Sequence, residues 1–180
     1  MTTRARIFAV AALATLVADQ ATKAWARGAF LPGRTVSLIP NYWEWELSFN
    51  YGSAFGLFNT QAWARAFLTT MALAVAALIA AYVLRRDAIV LGKRIRWGPL
   101  HDDQKWLTVA LGLVWGGAVG NAVDRIADGK VTDFILWRLA DVYRHPQFNV
   151  ADAALVAGVI ILALDVGGDQ KRYKPRKAKT

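Results

Sequence analysis

The sequence predicts a mainly α-helical membrane protein, in which a bundle of four transmembrane helices carries a small extracytoplasmic β-sheet and an interfacial helix. Hydrophobic residues make up 56% of the 180 positions, the mean hydropathy is +0.27 and there are 8 Trp, which is unusually apolar for a soluble domain of this length. The apolar residues concentrate in four segments. These predict spans at about 7–25, 63–84, 106–123 and 150–166 of a single integral membrane domain.

The cysteine content excludes several kinds of functional site, and the distribution of charge predicts the membrane topology. The chain has 0 Cys, so disulfides, thiolate metal sites and cysteine nucleophiles are excluded. The excess positive charge lies in the amino terminus, in the 85–105 connection and in a tail at 169–180 that we expect to be disordered. Because Lys and Arg favour cytoplasmic loops, we place both termini and that connection in the cytoplasm and the acid-bearing loops outside. The net charge of +9 therefore points to lipid head groups and not to nucleic acid.

The first apolar run, Ile7–Trp25, follows Arg4 and Arg6 in the manner of a secretory signal. No cleavage site of small residues follows it cleanly, however, and it contains Asp19 and Lys23 one helical turn apart. We therefore interpret it as a retained transmembrane helix. The two charges form an ion pair that eases the helix end into the interface, or they help to shape a functional site.

Two strands are predicted next, in an extracytoplasmic β region at about 33–59. Thr35–Ile39 and Tyr42–Phe49 are rich in strand-forming residues, and Pro40-Asn41 makes the turn between them. The second strand alternates, and its apolar face consists of Trp43, Trp45, Leu47 and Phe49. We expect this face to lie on the membrane surface, and a role in packing alone is a compatible alternative.

The segment Asn50–Gly56 combines small residues with an amide side chain that can both donate and accept hydrogen bonds. The second span, Trp63–Leu84, ends at Arg85-Arg86. We expect the basic 85–105 connection to be a solvated loop. Its His101-Asp102-Asp103 has no second His or Glu spaced to complete a metal site.

The third span carries both a packing face and polar residues. One side of the helix is thinned by four glycines, Gly112, Gly116, Gly117 and Gly120. Such residues allow membrane helices to approach closely. Near the outer end Asn121 and Asp124 share a face, and Arg125 is placed to pair with an acid. Ile126–Lys130 is predicted to be a short turn.

The segment Val131–Tyr143 is predicted to start extended and to continue as the interfacial helix over Phe134–Leu139, ended by His145-Pro146. Asp133 would precede this helix. Capping of free backbone amides is therefore an alternative to a role in chemistry for this acid.

Asn149 and Asp152 begin the last span, Val150–Val166, with the spacing of a capping box. Asp133 and Asp152 differ from ordinary caps because both are placed outside, next to the membrane, beside the third acid Asp124. Ionisable groups at a membrane boundary are rare and mark functional sites, and paired carboxylates suit acid/base chemistry. We therefore predict that Asp133 and Asp152 form a catalytic pair.

Five motifs match a known family in order and spacing. They are Asp19-Gln-Ala-Thr-Lys23, Asn50-x-Gly-x-Ala-Phe55, Gly116-Gly-Ala-x-Gly-Asn121-x-x-Asp124-Arg125, Val131-x-Asp133-Phe134 and Phe148-Asn149-x-Ala-Asp152. Together they resemble the signature boxes of lipoprotein signal peptidase, also called signal peptidase II, over nearly the whole chain from Ile7 to Val166. The one departure is Thr132, where a second Val is more usual; threonine has nearly the same shape.

The resemblance implies a bacterial inner-membrane aspartic endopeptidase with a periplasmic β-sheet cradle. Such an enzyme would remove signal peptides from diacylglyceryl-modified prolipoproteins, cutting just before the lipidated cysteine, and would need no cofactor and no metal. The resemblance implies Asp133 and Asp152 as the catalytic dyad. It implies supporting or substrate-binding roles for Asp19, Lys23, Asn50, Gly52, Asn121, Asp124, Arg125 and Asn149. We expect a monomer whose partners are its substrate and membrane lipids.

Two other functions compete with this one. A serine/lysine protease would use Ser53 and Lys23, but it needs a desolvated lysine as base, and Asp19 would keep Lys23 charged. A small membrane transporter or assembly factor would use the boundary acids as a proton or cation path. It predicts acids at mid-membrane depth, whereas these acids lie at span ends.

Overall fold

The computed structural model describes residues 3–52, 62–84, 87–90, 93–96, 105–140 and 142–172. Within these ranges the chain forms four long helices: α1 (Thr3–Ala29), α2 (Ala62–Leu84), α3 (Lys105–Asp128) and α4 (Val150–Arg172). It also forms six strands: β1 (Thr35–Ile39), β2 (Trp43–Asn50), β3 (Asp87–Val90), β4 (Lys93–Arg96), β5 (Val131–Leu139) and β6 (Tyr143–Arg144). The predicted class, mainly helical with a small antiparallel sheet, is confirmed.

Three of these helices are long and apolar enough to cross a membrane: Thr3–Ala29, Trp63–Val83 and Lys105–Asp128. Their outward side chains are largely apolar. On α2, for example, Phe67 is 55% exposed and Leu78 is 62% exposed. Exposed apolar surface of this extent is stable in contact with lipid, so the bundle is built for a membrane.

Helix α3 is central and packs against α1, α2 and α4. A Cβ on Gly116 would lie 2.6 Å from the carbonyl oxygen of Ala12 on α1, and one on Gly117 would lie 2.5 Å from that of Ala151 on α4. Both neighbours therefore contact α3 backbone to backbone. The predicted thin side of this helix is in fact two adjoining faces, one for each neighbour.

A four-stranded antiparallel sheet, in the order β1-β2-β5-β6, lies at the end of the bundle where α1 ends and α4 begins. β1 has the predicted bounds, and Asn41 adopts a φ of 67° in the predicted turn. The apolar face of β2 packs inward, because Leu47 is only 3% exposed and the ring of Trp45 stacks on that of Phe134 with 5.8 Å between centroids. Packing is thus one role of this face.

The predicted interfacial helix over 134–139 is wrong, since these residues belong to β5. They pair with β2 in an antiparallel register that includes Trp45↔Ile135 and Ser48↔Asp133. The segment is rich in aromatic and branched residues that favour strands, and Phe134 and Leu136 are each 1% exposed. A short continuous apolar run fits a buried strand as well as a helix, so the pattern alone was ambiguous. One consequence is that Asp133 lies within a strand and caps no helix.

Helix α3 continues into the predicted turn at 126–130 and ends at Asp128. Gly129 then adopts a φ of 68°, a left-handed conformation that favours glycine and ends helices. Helix α4 likewise runs past its predicted end into the basic segment, as far as Arg172.

The connection at 85–105, predicted to be a solvated loop, contains the antiparallel hairpin β3–β4. Both strands include β-branched residues, which favour pairing over an irregular loop. The rejected metal motif His101-Asp102-Asp103, the rival nucleophile Ser53 and the end of the tail from Tyr173 lie outside the described residues.

Candidate active site

The ten predicted site residues come from α1, the end of β2, α3, β5 and the start of α4. Hydrogen bonds and ion pairs link all ten into one network at the end of the bundle nearest the sheet. Residues that are more than 100 positions apart in sequence thus share one site.

The centre of the network is Lys23, whose side chain is fully buried. Its Nζ lies 2.8 Å from Oδ2 of Asp19, 2.9 Å from Oδ1 of Asn121 and 3.3 Å from Oδ2 of Asp124. Two carboxylates and an amide oxygen therefore accept its three N–H bonds. This arrangement suits an ammonium group and opposes the general-base role that a serine/lysine protease requires.

Asp19 joins α1 to the start of α4. Its Oδ2 is paired with Lys23, and its Oδ1 accepts a hydrogen bond of 2.9 Å from the backbone amide of Ala151. The carboxylate thus satisfies a free amide at a helix N-terminus, where negative charge is favourable. The fully buried Asp19–Lys23 pair therefore belongs to the network of the site.

Two members of the site were absent from the predicted set. Gln20 donates from Nε2 to Oδ2 of Asp19 at 3.0 Å and to Oδ1 of Asp124 at 3.2 Å. Thr132, the departure from the family pattern, accepts a hydrogen bond of 2.9 Å at its hydroxyl from Nη1 of Arg27. Gln20 lies within the Asp19–Lys23 motif, and its place in that motif could have identified it. The partner of Thr132 had no sequence signal.

Asn149 contacts both predicted catalytic acids. Its Nδ2 donates to Oδ1 of Asp133 at 2.6 Å, and its Oδ1 accepts from the backbone amide of Asp152 at 2.9 Å. Oδ2 of Asp152 in turn accepts from the backbone amide of Asn149 at 3.2 Å, which completes the predicted capping box. Capping and contact with Asp133 are thus properties of the same fully buried side chain.

Asn121 links Lys23 to Asp152. Its Oδ1 accepts from Lys23, and its Nδ2 donates to Oδ1 of Asp152 at 2.8 Å. Lysine can only donate, so it fixes the orientation of the Asn121 amide and turns the NH₂ group toward Asp152. Each acid of the pair therefore receives a hydrogen bond from an asparagine whose orientation is set by another group.

The pKa of Asp133 is raised from 3.8 to about 7, chiefly by burial and next by the negative charge of Asp152. Hydrogen bonds from the side chains of Asn149 and Asn50 and the charge of Lys23 act in the opposite direction but are weaker. Asp133 can therefore hold or release a proton near neutral pH, which is the range in which a general acid or base is effective.

Asn50 and Gly52 form the edge of the site at the end of β2. The side chain of Asn50 hydrogen-bonds Asp133, and its Oδ1 accepts from the backbone amide of Gly52 at 3.0 Å. Arg125 was predicted to pair with an acid. Among the described residues it donates to two carbonyl oxygens, those of Gly52 and Asn121, each at 3.4 Å. The negative charges of Asp152, Asp133 and Asp124 lie close enough to attract it.

The end of this helical bundle thus holds two carboxyl groups that are each bound by an asparagine amide, which is an arrangement suited to acid/base chemistry. The comparisons with known proteins identify the family. Residues 11–167 match the family model described as signal peptidase (SPase) II. The lipoprotein signal peptidase of Pseudomonas putida is 38% identical over 164 residues, which are 91% of this chain and 88% of that one. That of Pseudomonas aeruginosa strain UCBPP-PA14 is 34% identical over 86% of this chain and 84% of its own.

Two solved structures share the fold. A bacterial membrane enzyme determined by the in meso method at 2.3 Å resolution has a TM-score of 0.75 and 23% identity, covering 96% of this chain and 94% of that one. Another, at 1.9 Å, has a TM-score of 0.68 and 23% identity over 88% and 91%. The chain belongs to the signal peptidase II family. It is therefore a bacterial membrane peptidase of the aspartic type, and the transporter alternative has no support.

Proposed function

We propose that this peptidase removes signal peptides from prolipoproteins whose cysteine already carries diacylglycerol, by cleavage just before that cysteine. Family membership and relatives named lipoprotein signal peptidase support the substrate class. The observation that carries the catalytic assignment is the single buried amide of Asn149, which contacts both Asp133 and Asp152.

In the proposed mechanism Asp133 and Asp152 share one proton. Two carboxyl groups close together do not both ionise readily, so one keeps its proton at rest. We assign this proton to Asp133, whose pKa lies near 7. Asp152 then takes a proton from a water molecule, and that water attacks the scissile carbonyl carbon. Asp133 donates its proton to the carbonyl oxygen, which gives a tetrahedral gem-diol. As the C–N bond breaks, the proton held by Asp152 passes to the leaving amine, and one hydroxyl of the gem-diol returns a proton to Asp133, which restores the shared proton of the pair.

The remaining predicted residues position this pair. Asn121 and Asn149 hold one carboxyl each, and Lys23 fixes Asn121. Asp19 and Asp124 compensate the buried charge of Lys23. Asn50, Gly52 and Arg125 line the edge of the site, where we place the substrate backbone.

The proposed topology has both termini in the cytoplasm of a bacterium and the sheet on the outer face of the inner membrane. α4 would be the fourth span, short in its apolar part and supported by the interface. The acyl chains of the substrate and the apolar part of the signal peptide would lie in the bilayer beside the helices. A monomer would suffice, since all ten site residues come from one chain.

The test is cleavage of a diacylglyceryl prolipoprotein by the purified full-length protein in lipid nanodiscs, followed by a gel shift. Asp133→Asn and Asp152→Asn should each lower the rate by about a thousandfold or more, because each removes a proton-transfer group. Asp128→Asn is the matched control, since it removes an exposed acid from the end of α3 and should retain the rate. The same substrate without diacylglycerol should be cut far more slowly.

Two results would overturn the proposal. If the wild-type protein leaves the lipidated substrate intact, the substrate class is wrong. If it cuts and both asparagine variants also cut at its rate, the substrate is right and the dyad is wrong. Circular dichroism of each variant shows whether a lost rate reflects a lost fold.

A further inference from the structure

Strand β2 has an irregularity at the point where it passes Asp133. Its first half pairs with β5 in a register that includes Trp45↔Ile135, and continuation of that register would place Leu47 opposite Asp133. The register shifts between Trp45 and Ser48, so that Ser48 lies opposite Asp133 instead. The strand therefore has one extra residue here, a β-bulge, and bulges beside functional sites redirect side chains.

The bulge places a hydroxyl beside the acid where the regular strand would place an apolar side chain. Leu47 is 3% exposed and packs in the apolar cluster that contains Ala26 and Phe134. Ser48 is half-buried. Residues directly opposite each other in an antiparallel pair lie on the same face, with Cβ atoms about 4.5–5.5 Å apart. The hydroxyl of Ser48 is therefore a neighbour of the carboxyl of Asp133.

The position of Asn50 shows that this face is the one that carries the site. Asn50 lies two residues after Ser48 on the same strand, and its side chain hydrogen-bonds Asp133. Residues two apart on a strand share a face. Ser48 and Asn50 thus both face Asp133, and among the described residues no hydrogen bond holds the hydroxyl of Ser48 elsewhere.

Asp133 becomes negatively charged during the proposed reaction, when it gives its proton to the carbonyl oxygen of the substrate. Its carboxyl already accepts hydrogen bonds from the side chains of Asn149 and Asn50. An ionised carboxylate can accept about four hydrogen bonds, so there is room for a further donor. Rotation about one side-chain torsion directs the hydroxyl of Ser48 to this carboxylate, and such a contact stabilises the charged form.

We propose that Ser48 is a positioning residue of the active site, whose hydroxyl donates a hydrogen bond to Asp133 once that carboxyl has given up its proton. This inference rests on the proposed function and adds to it a residue that lies outside the five motifs. Asp152 on α4, Lys23 on α1 and Arg125 on α3 are the charged groups that act on Asp133. All three are retained in a Ser48 variant, so a changed titration of Asp133 would be due to the hydroxyl.

The first test is the pH dependence of cleavage of the diacylglyceryl prolipoprotein by Ser48→Ala. Loss of a donor to the carboxylate favours the protonated form of Asp133 and raises its pKa. Because Asp133 acts as the proton donor, the rate declines as the pH rises through this pKa. We expect the decline to move upward by about one pH unit, and kcat at neutral pH to fall by about tenfold with little change in KM.

Two variants serve as controls. Ser48→Thr keeps the hydroxyl in a residue that favours strands, so it should keep the wild-type pH profile. Ser37→Ala removes an exposed serine from β1 of the same sheet and should also behave as the wild type. An equal shift of the profile in Ser48→Ala and Ser48→Thr would overturn the inference, since the hydroxyl would then not be its cause.

Infrared spectroscopy of the protonated carboxyl band, assigned to Asp133 by its loss in Asp133→Asn, measures the same titration without substrate. The band of Ser48→Ala should persist to a pH about one unit higher than that of the wild type. An unchanged infrared titration would overturn the inference even if the rate fell, because Ser48 would then have only a structural role. This readout does not depend on cleavage. A wild-type protein that leaves the substrate intact would therefore overturn the proposed function, while the infrared titration would still decide the contact.

Discussion

Nδ2 of Asn149 lies 2.6 Å from Oδ1 of Asp133, while Oδ1 of the same side chain accepts a hydrogen bond of 2.9 Å from the backbone amide of Asp152. One amide therefore caps α4 and orients an acid on β5. The two contacts explain why capping and catalysis cannot be separated from sequence alone. Substitution can separate them.

Asn149→Ser should preserve the cap and lose the contact with Asp133. A serine hydroxyl can accept a hydrogen bond from the backbone amide of Asp152, but the serine side chain is too short to reach the carboxyl of Asp133. Asn149→Ala loses both contacts. We expect both variants to lose at least about tenfold in cleavage rate, and the serine variant to be about 1 kcal/mol more stable than the alanine variant. Wild-type cleavage by Asn149→Ser would show that the cap alone matters.

Much of the helical fold could be predicted because its signals are local. The length of the apolar runs predicted the helices. The alternation of apolar and polar residues, together with a turn sequence, predicted β1 and β2. The interfacial helix over 134–139 failed because this segment is decided by pairing with β2, which is not visible in the segment itself. α3 continues to Asp128, past the predicted end of the third span at 123. The sequence pattern did not show this, because the helix is ended by the positive φ of a single residue, Gly129.

The site was predicted from residue type and motif, and its geometry depended on contacts between distant elements. The fully buried pair of Asp19 and Lys23 follows from i,i+4 spacing. Its further bonds to Asn121 and Asp124 require knowledge of how α1 packs on α3. Thr132 is a second example. Threonine has nearly the same shape as valine, but its hydroxyl accepts a hydrogen bond from Arg27 that the sequence does not indicate.

Lys23→Met should destabilise the protein strongly. The change leaves the carboxylates of Asp19 and Asp124, 0% and 2% exposed, without their cation, at a cost of about 3–5 kcal/mol. Thermal unfolding followed by tryptophan fluorescence measures this. The double variant Lys23→Met with Asp124→Asn should recover part of the loss, since it removes one of the two unpaired charges. Additive losses in the double variant would contradict the assigned ion pair.

Gly120→Ala should damage the site through packing. A Cβ at this position would lie 2.5 Å from Oδ2 of Asp19, the oxygen that pairs with Lys23. We expect a loss of about 2 kcal/mol or more in stability together with reduced cleavage.

Gly28→Ala is the matched control for this change. Gly28 lies in the last turn of α1 and has nothing within 4 Å of an added Cβ. Alanine should be neutral there or stabilise the helix by up to about 1 kcal/mol. Equal behaviour of the two alanine variants would show that Gly120 is not needed for close approach.

The raised pKa of Asp133 predicts that its carboxyl destabilises the fold above neutral pH. Between pH 3.8 and about 7 the unfolded chain releases this proton while the folded chain keeps it. The unfolded state then binds fewer protons, so stability falls as the pH rises through this window and the loss is complete above about pH 7. Asp133→Asn removes the ionisation. The variant should therefore exceed the wild type in stability by an amount that is small near pH 4, grows to a few kcal/mol near pH 7, and then levels off.

Thermal unfolding of both proteins across this pH range measures the difference in stability. Asp128→Asn, which removes an exposed acid, should give a difference from the wild type that is nearly constant with pH. A difference for Asp133→Asn that does not change with pH would show that Asp133 titrates as an ordinary carboxyl, and the proton at rest would then have to be assigned to Asp152.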